Sequence, residues 1–159
     1  FMGSGKSTVG KIIAERLNFL FIDLDSIIEL SEGKKISEIF TEYGEKYFRD
    51  IESEVVKKVY YNKNCVFSCG GGVVLKKENM DIIKSQSVVV YLQISPETAY
   101  ERLKNVKDRP LLSVRDKREA IKQLIEERRL IYEGYADVII NADFKKPETI
   151  ARYIISKIL

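Results

Sequence analysis

The sequence predicts one α/β domain in three layers, with a central parallel sheet flanked by helices. Two observations support this prediction: short apolar strands alternate with helical patterns along the chain, and a phosphate-binding loop stands at its start. The 159 residues, 45% of them hydrophobic, are enough to form a sizeable core. We therefore expect a single domain over residues 1–159.

The loop at the start, Phe1–Thr8, contains all but the first glycine of the pattern G-x-x-x-x-G-K-[ST]. In such loops, backbone N–H groups and the end of the following helix hold phosphate oxygens. The lysine, here Lys6, reaches the β- and γ-phosphates, and the hydroxyl of Ser7 ligates Mg²⁺. The pattern predicts a P-loop NTPase fold that binds a nucleoside triphosphate and Mg²⁺. A Gly-Ser turn that happens to precede a lysine is disfavoured, because residues 9–17 have helical spacing.

The first glycine of the pattern would precede Phe1, and no strand comes before the loop. In related folds, that strand lies in the middle of the sheet. We expect this first strand and its glycine, about six to ten residues, to be missing from the N-terminus of this sequence.

Hydrophobic spacing assigns the first half of the chain in order. Helices are predicted over residues 6–17, 26–30, 38–43 and 45–61, and strands over residues 19–22 and 65–69. Breaks are expected at Asn18, at residues 31–33, at Gly44 and in a turn over residues 62–64. Ser37 is predicted to cap the third helix.

The second half alternates in the same way. Helices are predicted over residues 77–84, 96–104, 117–134 and 147–159, and strands over residues 88–92 and 137–141. Ser95 followed by Pro96 is typical of a helix start, with serine as the cap and proline in the first turn. Residues 105–116 are polar and irregular, which suits a mobile lid.

Composition excludes several classes of protein. A net charge of +3, scattered along the chain, does not indicate nucleic-acid binding, but it is compatible with small anionic substrates. No apolar run approaches the length of a membrane span, and no signal peptide is visible. The chain has no histidine, so a histidine base or a Ser-His-Asp triad is excluded. We expect a cytoplasmic protein.

Cys65 and Cys69 are predicted to lie on one strand. Four residues of strand separate their Cα atoms by roughly 13 Å, beyond the reach of a disulfide. They are interpreted as buried core thiols.

Two carboxylates, Asp23 and Asp25, follow a predicted strand, at the edge where open α/β sheets bind ligands. One could help to hold Mg²⁺ through water, while the other orients an acceptor hydroxyl. Helix capping is the alternative for each.

Three further segments carry candidate residues. Arg49 and Glu52 share one helix face, where a solvated ion pair is the ordinary interpretation. Gly70–Gly72 follow a strand directly, which favours close approach of the backbone to a ligand. Arg109 lies in the polar stretch and could carry charge to the phosphates, whereas Arg128, on a charged helix, would ordinarily be assigned to the surface.

In this order, the segments resemble the shikimate kinase family over the whole chain. The shared motifs are G-S-G-K-S-T, D-L-D, F-R-x-x-E, G-G-G, R-P-L-L and E-R-x-x-x-Y-x-x-x-A-D. The resemblance implies a small kinase built like the nucleoside monophosphate kinases. It also implies transfer of the γ-phosphoryl group of ATP to the 3-hydroxyl of shikimate, on the route to chorismate and aromatic amino acids.

For ATP, the resemblance implies roles at two ends of the nucleotide. The phosphates would lie against Gly3, Ser4, Gly5, Lys6, Ser7 and Thr8. Arg102 would stack on adenine, with Lys145 or Lys146 beside it, and Arg109 would reach ATP from a lid over residues 105–116. Ser7 would ligate Mg²⁺, supported by Asp23.

For shikimate, the resemblance implies a binding segment over residues 25–61. Asp25 would contact the hydroxyls and accept or steer the proton, and it is the catalytic candidate together with Lys6 and Arg109. Arg49 and Arg128 would bind the carboxylate with their two-pronged donors, and Glu52 would hold Arg49. Gly70, Gly71 and Gly72 would offer backbone N–H groups.

One departure from the family is Leu130, which stands where the family usually has proline, two residues after Arg128. Two other functions stay open: another small-molecule kinase of this build, acting on gluconate or a nucleoside monophosphate, or a nucleotide-binding module without catalysis. The expected partners are ATP and shikimate, with no nucleic acid and no membrane, and the expected state is a monomer.

Overall fold

The computed structural model describes residues 1–59, 63–106 and 108–159. Seven helices and four strands lie within these ranges, together with short 3₁₀ turns at Val73–Leu75 and Pro110–Leu112. In chain order they are α1 (Lys6–Leu17), β1 (Leu20–Asp23), α2 (Leu24–Glu32), α3 (Ile36–Val59), β2 (Cys65–Ser68), α4 (Lys77–Gln86), β3 (Val90–Gln93), α5 (Pro96–Leu103), α6 (Lys117–Tyr135), β4 (Val138–Asn141) and α7 (Pro147–Ile158).

Several predicted ends are confirmed, and each has a local cause. Asn18 ends α1 in the left-handed region with φ of 53°. Gly44, with φ of 81° and ψ of 171°, breaks α3 into two helical stretches. Ser95 caps α5 by accepting a hydrogen bond from the N–H of Thr98.

Other predicted ends need correction. Ser37 is not a cap, because α3 begins at Ile36 and the carboxylate of Glu38 instead accepts the N–H of Lys35, at 2.7 Å. The second helix begins at Leu24 rather than at residue 26, since Asp23 caps it. The predicted helix end at residue 61 and the start of the turn at residue 62 lie outside the described residues, as does residue 107 of the lid.

The strands pair in parallel, and the predicted fold class is confirmed. The register runs from Leu20 opposite Cys65 to Asp23 opposite Ser68 in one pair, and from Val90 opposite Val138 to Gln93 opposite Asn141 in the other. Within the described residues, these are two separate two-stranded sheets. The described strands therefore form two parallel pairs, β1–β2 and β3–β4, which we call the two halves of the sheet layer.

Each half of the sheet has its own apolar core. Side chains of α1, α5, α6 and α7 pack with β3 and β4, whereas those of α2, α3 and α4 pack against β1 and β2. Helix α1 also contacts β1 and β2, and Val66 of β2 packs against the first cluster. Ile121 and Ile28, both fully buried, mark the two centres. The carboxyl ends of the strands thus open onto a space bordered by both cores.

Both cysteines lie within the described residues, are half-buried, and form no disulfide with each other. Cys69 follows β2 rather than lying within it, which corrects the predicted strand end. No helix in the described part of the chain has the length and apolar character needed to cross a membrane.

Candidate active site

The phosphate-binding loop, Gly3–Thr8, adopts the backbone conformation that its glycines permit. Gly3 and Gly5 have φ of 72° and 90°, in the left-handed region that other residues rarely adopt. Gly5 is the residue before α1, so the loop leads directly into the N-terminus of that helix. The loop therefore offers backbone N–H groups and the positive end of a helix to an anion.

Lys6 folds back over this loop. Its ammonium donates to the carbonyl of Phe1 at 2.7 Å. Burial lowers the pKa of Lys6, and the nearby carboxylate of Asp25 partly offsets that effect. The ammonium thus lies against the loop, and Asp25 is close enough to affect its pKa.

Ser7 lies in a short chain of oxygen atoms at the strand ends. Its hydroxyl donates to a carboxylate oxygen of Asp23 at 2.8 Å, and its oxygen lies 3.1 Å from the hydroxyl oxygen of Ser68. Since the single hydrogen of Ser7 goes to Asp23, Ser68 donates to Ser7. Asp23 also caps α2 through the N–H of Ser26, so helix capping, one of the two predicted alternatives, is confirmed for Asp23, and its role toward Mg²⁺ stays a prediction.

These oxygen donors fit Mg²⁺. Within the described ranges, no group of three or more His, Cys, Asp or Glu residues could hold a metal ion. Mg²⁺ usually takes one or two protein oxygens and completes its octahedron with water and phosphate oxygens. The hydroxyl of Ser7 and the carboxylate of Asp23, beside the phosphate-binding loop, supply that number.

Asp25 lies two residues after Asp23, in the first turn of α2. Burial, and then repulsion from Asp23, raises the pKa of Asp25 above its ordinary value, while Arg109 and Lys6 oppose the rise. A Cβ atom on Gly70 would lie 2.8 Å from a carboxylate oxygen of Asp25. The absence of a side chain on Gly70 therefore lets this carboxylate approach the backbone.

Arg49 and Glu52 form a buried pair. The guanidinium of Arg49 donates to Glu52 at 2.8 Å and to Glu45 at 3.1 Å. The side chain of Arg49 is 11% exposed, and that of Glu52 is 2% exposed. The interpretation as a solvated ion pair is therefore wrong. Burial raises the pKa of Glu52, and Arg49 opposes the rise. One carboxylate oxygen of Glu52 has no partner among the described residues.

The glycine segment, Gly70–Gly72, fits closely around these groups. A Cβ atom on Gly72 would lie 2.2 Å from the guanidinium of Arg49, so any other residue at this position would displace that guanidinium. Lys76, just beyond the segment, donates to the backbone carbonyl of Arg49 at 3.2 Å and pairs with Asp50. The segment is thus packed against α3.

Arg128 lies on α6 and is only 7% exposed, so its assignment to the surface is wrong. Tyr132, one turn later, donates its hydroxyl to the carbonyl of Gly71 at 2.6 Å. A small cavity of about 60 Å³ brings these elements together, and it is lined by Met2, Asp25, Ile36, Phe40, Phe48, Arg49, Glu52, Gly70, Gly71, Gly72, Arg109, Pro110, Leu111 and Arg128. We call this cavity the cleft.

The lid, residues 105–116, reaches the cleft through Arg109. One guanidinium nitrogen of Arg109 lies 4.0 Å from a carboxylate oxygen of Asp25, and another is buried without a partner among the described residues. The base of the lid is held by Lys117, whose ammonium donates to the carbonyls of Val106 at 2.7 Å and of Leu103 and Lys104 at 3.3 Å.

The residues predicted to contact adenine lie at exposed positions. Arg102 is exposed and donates to the carbonyl of Gly3 at 2.8 Å, which places it beside the phosphate-binding loop. Lys145 and Lys146 are exposed in the turn before α7. A place beside adenine for either lysine stays a prediction.

A larger groove, of about 670 Å³, lies between α2 and α3. Two of its lysines, Lys57 and Lys76, are already paired with Glu54 and Asp50. It contains neither the glycine segment nor the arginines of the cleft. The chemistry of the smaller cleft makes it the better candidate.

Sequence reasoning missed Ser68 and gave no role to Tyr132. The signal for Ser68 was present, because it is a polar residue at the end of a strand, as Asp23 is. Tyr132 is four residues after Arg128, a spacing that places both on one helix face. Nothing in the sequence indicated a role for Lys76, because its contact with the carbonyl of Arg49 depends on how the glycine segment packs against α3.

Comparisons with known proteins agree on one family. A sequence model described as shikimate kinase matches residues 2–159. The shikimate kinase of Sulfurihydrogenibium sp. is 48% identical over 158 residues, which cover 99% of this chain and 93% of that protein. The shikimate kinase of Thermodesulfovibrio yellowstonii is 45% identical, with coverage of 99% and 90%.

Solved structures give the same result. Shikimate kinase from Acinetobacter baumannii in complex with shikimate matches with a TM-score of 0.96 at 33% identity, covering 99% of this chain and 88% of that one. Shikimate kinase from Aquifex aeolicus matches with a TM-score of 0.85 at 42% identity, covering 98% and 90%.

Proposed function

Because the chain belongs to the shikimate kinase family and is thus an ATP-dependent kinase, we propose that it transfers the γ-phosphoryl group of ATP to the 3-hydroxyl of shikimate in the cleft. The observation that carries this assignment is the placement of two arginines, Arg128 buried and Arg49 largely buried, beside Asp25 and the glycine segment. A small polyhydroxy carboxylate matches this combination of donors and acceptor.

On the nucleotide side, Gly3–Thr8 hold the phosphates of ATP. Lys6 bridges toward the transferred group, and its buried ammonium stays close to Asp25. Ser7 would ligate Mg²⁺, and Asp23 would support the ion through water. Bound there, Mg²⁺ would neutralise charge on the phosphate oxygens of ATP. Arg102 lies against the loop, where its plane can stack on adenine.

On the acceptor side, Arg49 and Arg128 bind the carboxylate of shikimate. A guanidinium fork matches a carboxylate with two parallel hydrogen bonds. Glu52 and Glu45 hold the fork of Arg49 in place. The glycine segment adds backbone N–H groups, which are available because no side chain covers them.

Transfer itself follows from these positions. The 3-hydroxyl oxygen attacks the γ-phosphorus in line, the bond from that phosphorus to the β–γ bridging oxygen breaks, and ADP leaves with the negative charge. The hydroxyl proton passes to Asp25, whose raised pKa makes it a better proton acceptor than an ordinary aspartate. Lys6 and Arg109 stabilise the charge that develops on the phosphoryl oxygens.

Access requires motion of the lid and of the segment over residues 25–61. The cleft is about 60 Å³, whereas pockets for small ligands commonly occupy about 300–1,000 Å³. Arg109 reaches across toward Asp25, so the lid covers the acceptor side. Opening admits shikimate, and closure excludes the water that would otherwise accept the phosphoryl group.

The other expected properties are those of a small metabolic enzyme. We propose a cytoplasmic monomer with one kinase domain over residues 1–159, which binds no nucleic acid and no membrane. Size-exclusion chromatography with light scattering checks the monomer, and a dimer at assay concentrations would contradict it.

A coupled assay for ADP release tests the function. Shikimate, gluconate and nucleoside monophosphates are offered in parallel with MgATP, and we expect turnover with shikimate alone. Preference for gluconate or a nucleoside monophosphate would assign the chain to another small-molecule kinase. ATP binding without transfer to any acceptor would leave a nucleotide-binding module.

A further inference from the structure

We propose that Tyr132 is a positioning residue for shikimate, because its hydroxyl fixes the glycine segment against α6 and so orients the free N–H groups of that segment. This inference rests on the proposed function of the cleft. Tyr132 itself need not touch shikimate, since it acts through Gly71.

The geometry around Tyr132 is tightly defined. Its side chain is 7% exposed, and its hydroxyl lies 2.6 Å from the carbonyl oxygen of Gly71. Its ring packs against Tyr91 of β3, with ring centroids 4.9 Å apart. A Cβ atom on Gly71 would lie 3.3 Å from the Tyr132 hydroxyl on one side and 3.6 Å from the backbone of Phe1 on the other. Gly71 is therefore held between two surfaces.

Because the carbonyl of Gly71 is held in place, the direction of the N–H of Gly72 is also fixed. In a planar trans peptide, the carbonyl of Gly71 and the N–H of Gly72 point in opposite directions. The hydrogen bond from Tyr132 therefore turns the N–H of Gly72 away from α6. Among residues 1–59, 63–106 and 108–159, no acceptor takes the N–H of Gly71 or Gly72. Both donors remain available to a ligand in the cleft.

The same hydroxyl connects the two halves of the structure. The glycine segment follows β2, whereas the ring of Tyr132 packs on β3, and in the described residues these strands belong to separate sheets. Tyr132 and Arg128 lie one turn apart on α6. The hydrogen bond thus sets the distance between the donors of the glycine segment and the guanidinium of Arg128.

Tyr132→Phe tests this role by removing one hydroxyl and keeping the ring. Because burial raises the pKa of Tyr132 and Arg128 is close enough to oppose the rise, the Gly71→Ala variant described next separates the contact with Gly71 from that with Arg128. Calorimetric titration with shikimate and, separately, with MgADP should show shikimate binding about 2- to 10-fold weaker, the effect of one hydrogen bond, and MgADP binding unchanged. Tyr91→Phe is the matched control, since it removes a hydroxyl from the stacked neighbour without touching Gly71. It should leave both affinities as they are.

Gly71→Ala approaches the same contact from the other side. The φ of Gly71 is not positive, so alanine suits the backbone, but its Cβ atom would press on the Tyr132 hydroxyl. We expect weaker shikimate binding, and a smaller loss when Tyr132→Phe has already removed the hydroxyl. If the Tyr132→Phe chain is poorly stable, Gly71→Ala alone still tests the contact, because it keeps every native hydroxyl and an unchanged shikimate affinity would contradict the inference.

Three outcomes would overturn the inference. They are an unchanged shikimate affinity in Tyr132→Phe, equal weakening of shikimate and MgADP, and additive losses in the double variant. A wild-type chain that binds no shikimate would instead overturn the proposed function, and the inference with it.

Discussion

The two sides of the cleft are built in different ways. The phosphate side is one continuous stretch, Gly3–Thr8, whose donors are mainly backbone N–H groups shaped by glycines with positive φ. The acceptor side is assembled from α3, the glycine segment and α6, and its guanidinium groups are buried. One side is local in sequence, and the other depends on tertiary packing.

This difference separates general from specific recognition. A loop that carries its geometry in its own backbone can hold the phosphates of any nucleoside triphosphate. The assembled side has buried polar groups that lose their hydrogen bonds if the wrong acceptor enters, which gives strong discrimination. We therefore expect substitutions on the acceptor side to change shikimate affinity, and those on the phosphate side to change MgATP affinity.

The largest effect is expected at Asp25, where the two sides meet. Asp25→Asn keeps the shape of the side chain but removes the proton acceptor, so kcat should fall by about 10²- to 10⁴-fold. The MgATP affinity should hardly change. Steady-state kinetics measures both. Asp81→Asn, which removes an exposed carboxylate paired with Lys77 on α4, is the control. A fall in kcat of less than tenfold would remove Asp25 from the chemistry.

A smaller effect is expected at Arg49. Arg49→Lys keeps the charge and loses the fork, so shikimate affinity should fall by about 1.5–3 kcal/mol, or roughly 10- to 150-fold. MgATP affinity should stay the same. Arg16→Lys, at the exposed end of α1, is the matched control. An unchanged shikimate KM would refute the carboxylate assignment, and an equal rise in the KM for MgATP would erase the distinction between the two sides.

Ser68 tests the phosphate side from a position that sequence reasoning missed. Ser68→Ala removes the donor to the Ser7 hydroxyl, and one such hydrogen bond is worth about 0.5–1.5 kcal/mol. The KM for MgATP should therefore rise by about 2- to 13-fold, with no change in the KM for shikimate. Ser156→Ala, which removes a hydroxyl on α7, is the comparison. A rise confined to the KM for shikimate would assign Ser68 to the acceptor side of the cleft.

The smallest effect concerns stability and pH. The pKa of Asp25 is raised in the folded chain, so between its unfolded and folded values the folded state binds more protons than the unfolded state. This contribution to stability is present at low pH and is lost as the pH rises through the folded pKa. Asp25→Asn should therefore melt at a higher temperature than the wild type near pH 7.

The stability difference between Asp25→Asn and the wild type should close near the ordinary pKa of aspartate, about 3.9. Thermal unfolding across this pH range checks the trend, and each 1 kcal/mol corresponds to about 2–4 °C. A gap that stays constant with pH would mean that the charge of Asp25 costs no stability.

Features that depend on neighbouring residues could be predicted from the sequence. The conformations of the loop glycines, the break at Gly44 and the cap at Ser95 follow from local backbone preferences. The prediction that Ser37 caps α3 was wrong because the helix begins before this residue, at Ile36, where the carboxylate of Glu38 accepts the N–H of Lys35.

Features that depend on packing could not be predicted from the residues alone. An arginine and a glutamate three apart look the same in sequence whether they face water or a glycine segment. The burial of Arg49 is decided by Gly72, more than twenty residues away, whose missing side chain leaves room for the guanidinium. Arg128 is a similar case, and only the family resemblance assigned it a role.

The contact of Lys117 with three carbonyls at the end of α5 has a consequence for engineering. Since this residue also follows the lid directly, both ends of the lid are held by one ammonium group. The free-energy cost of closing a flexible loop rises slowly with its length, by about 0.6 kcal/mol for each doubling. We therefore expect that the segment between Val106 and Asp116 can be replaced by the lid of a related protein without unfolding either flanking helix.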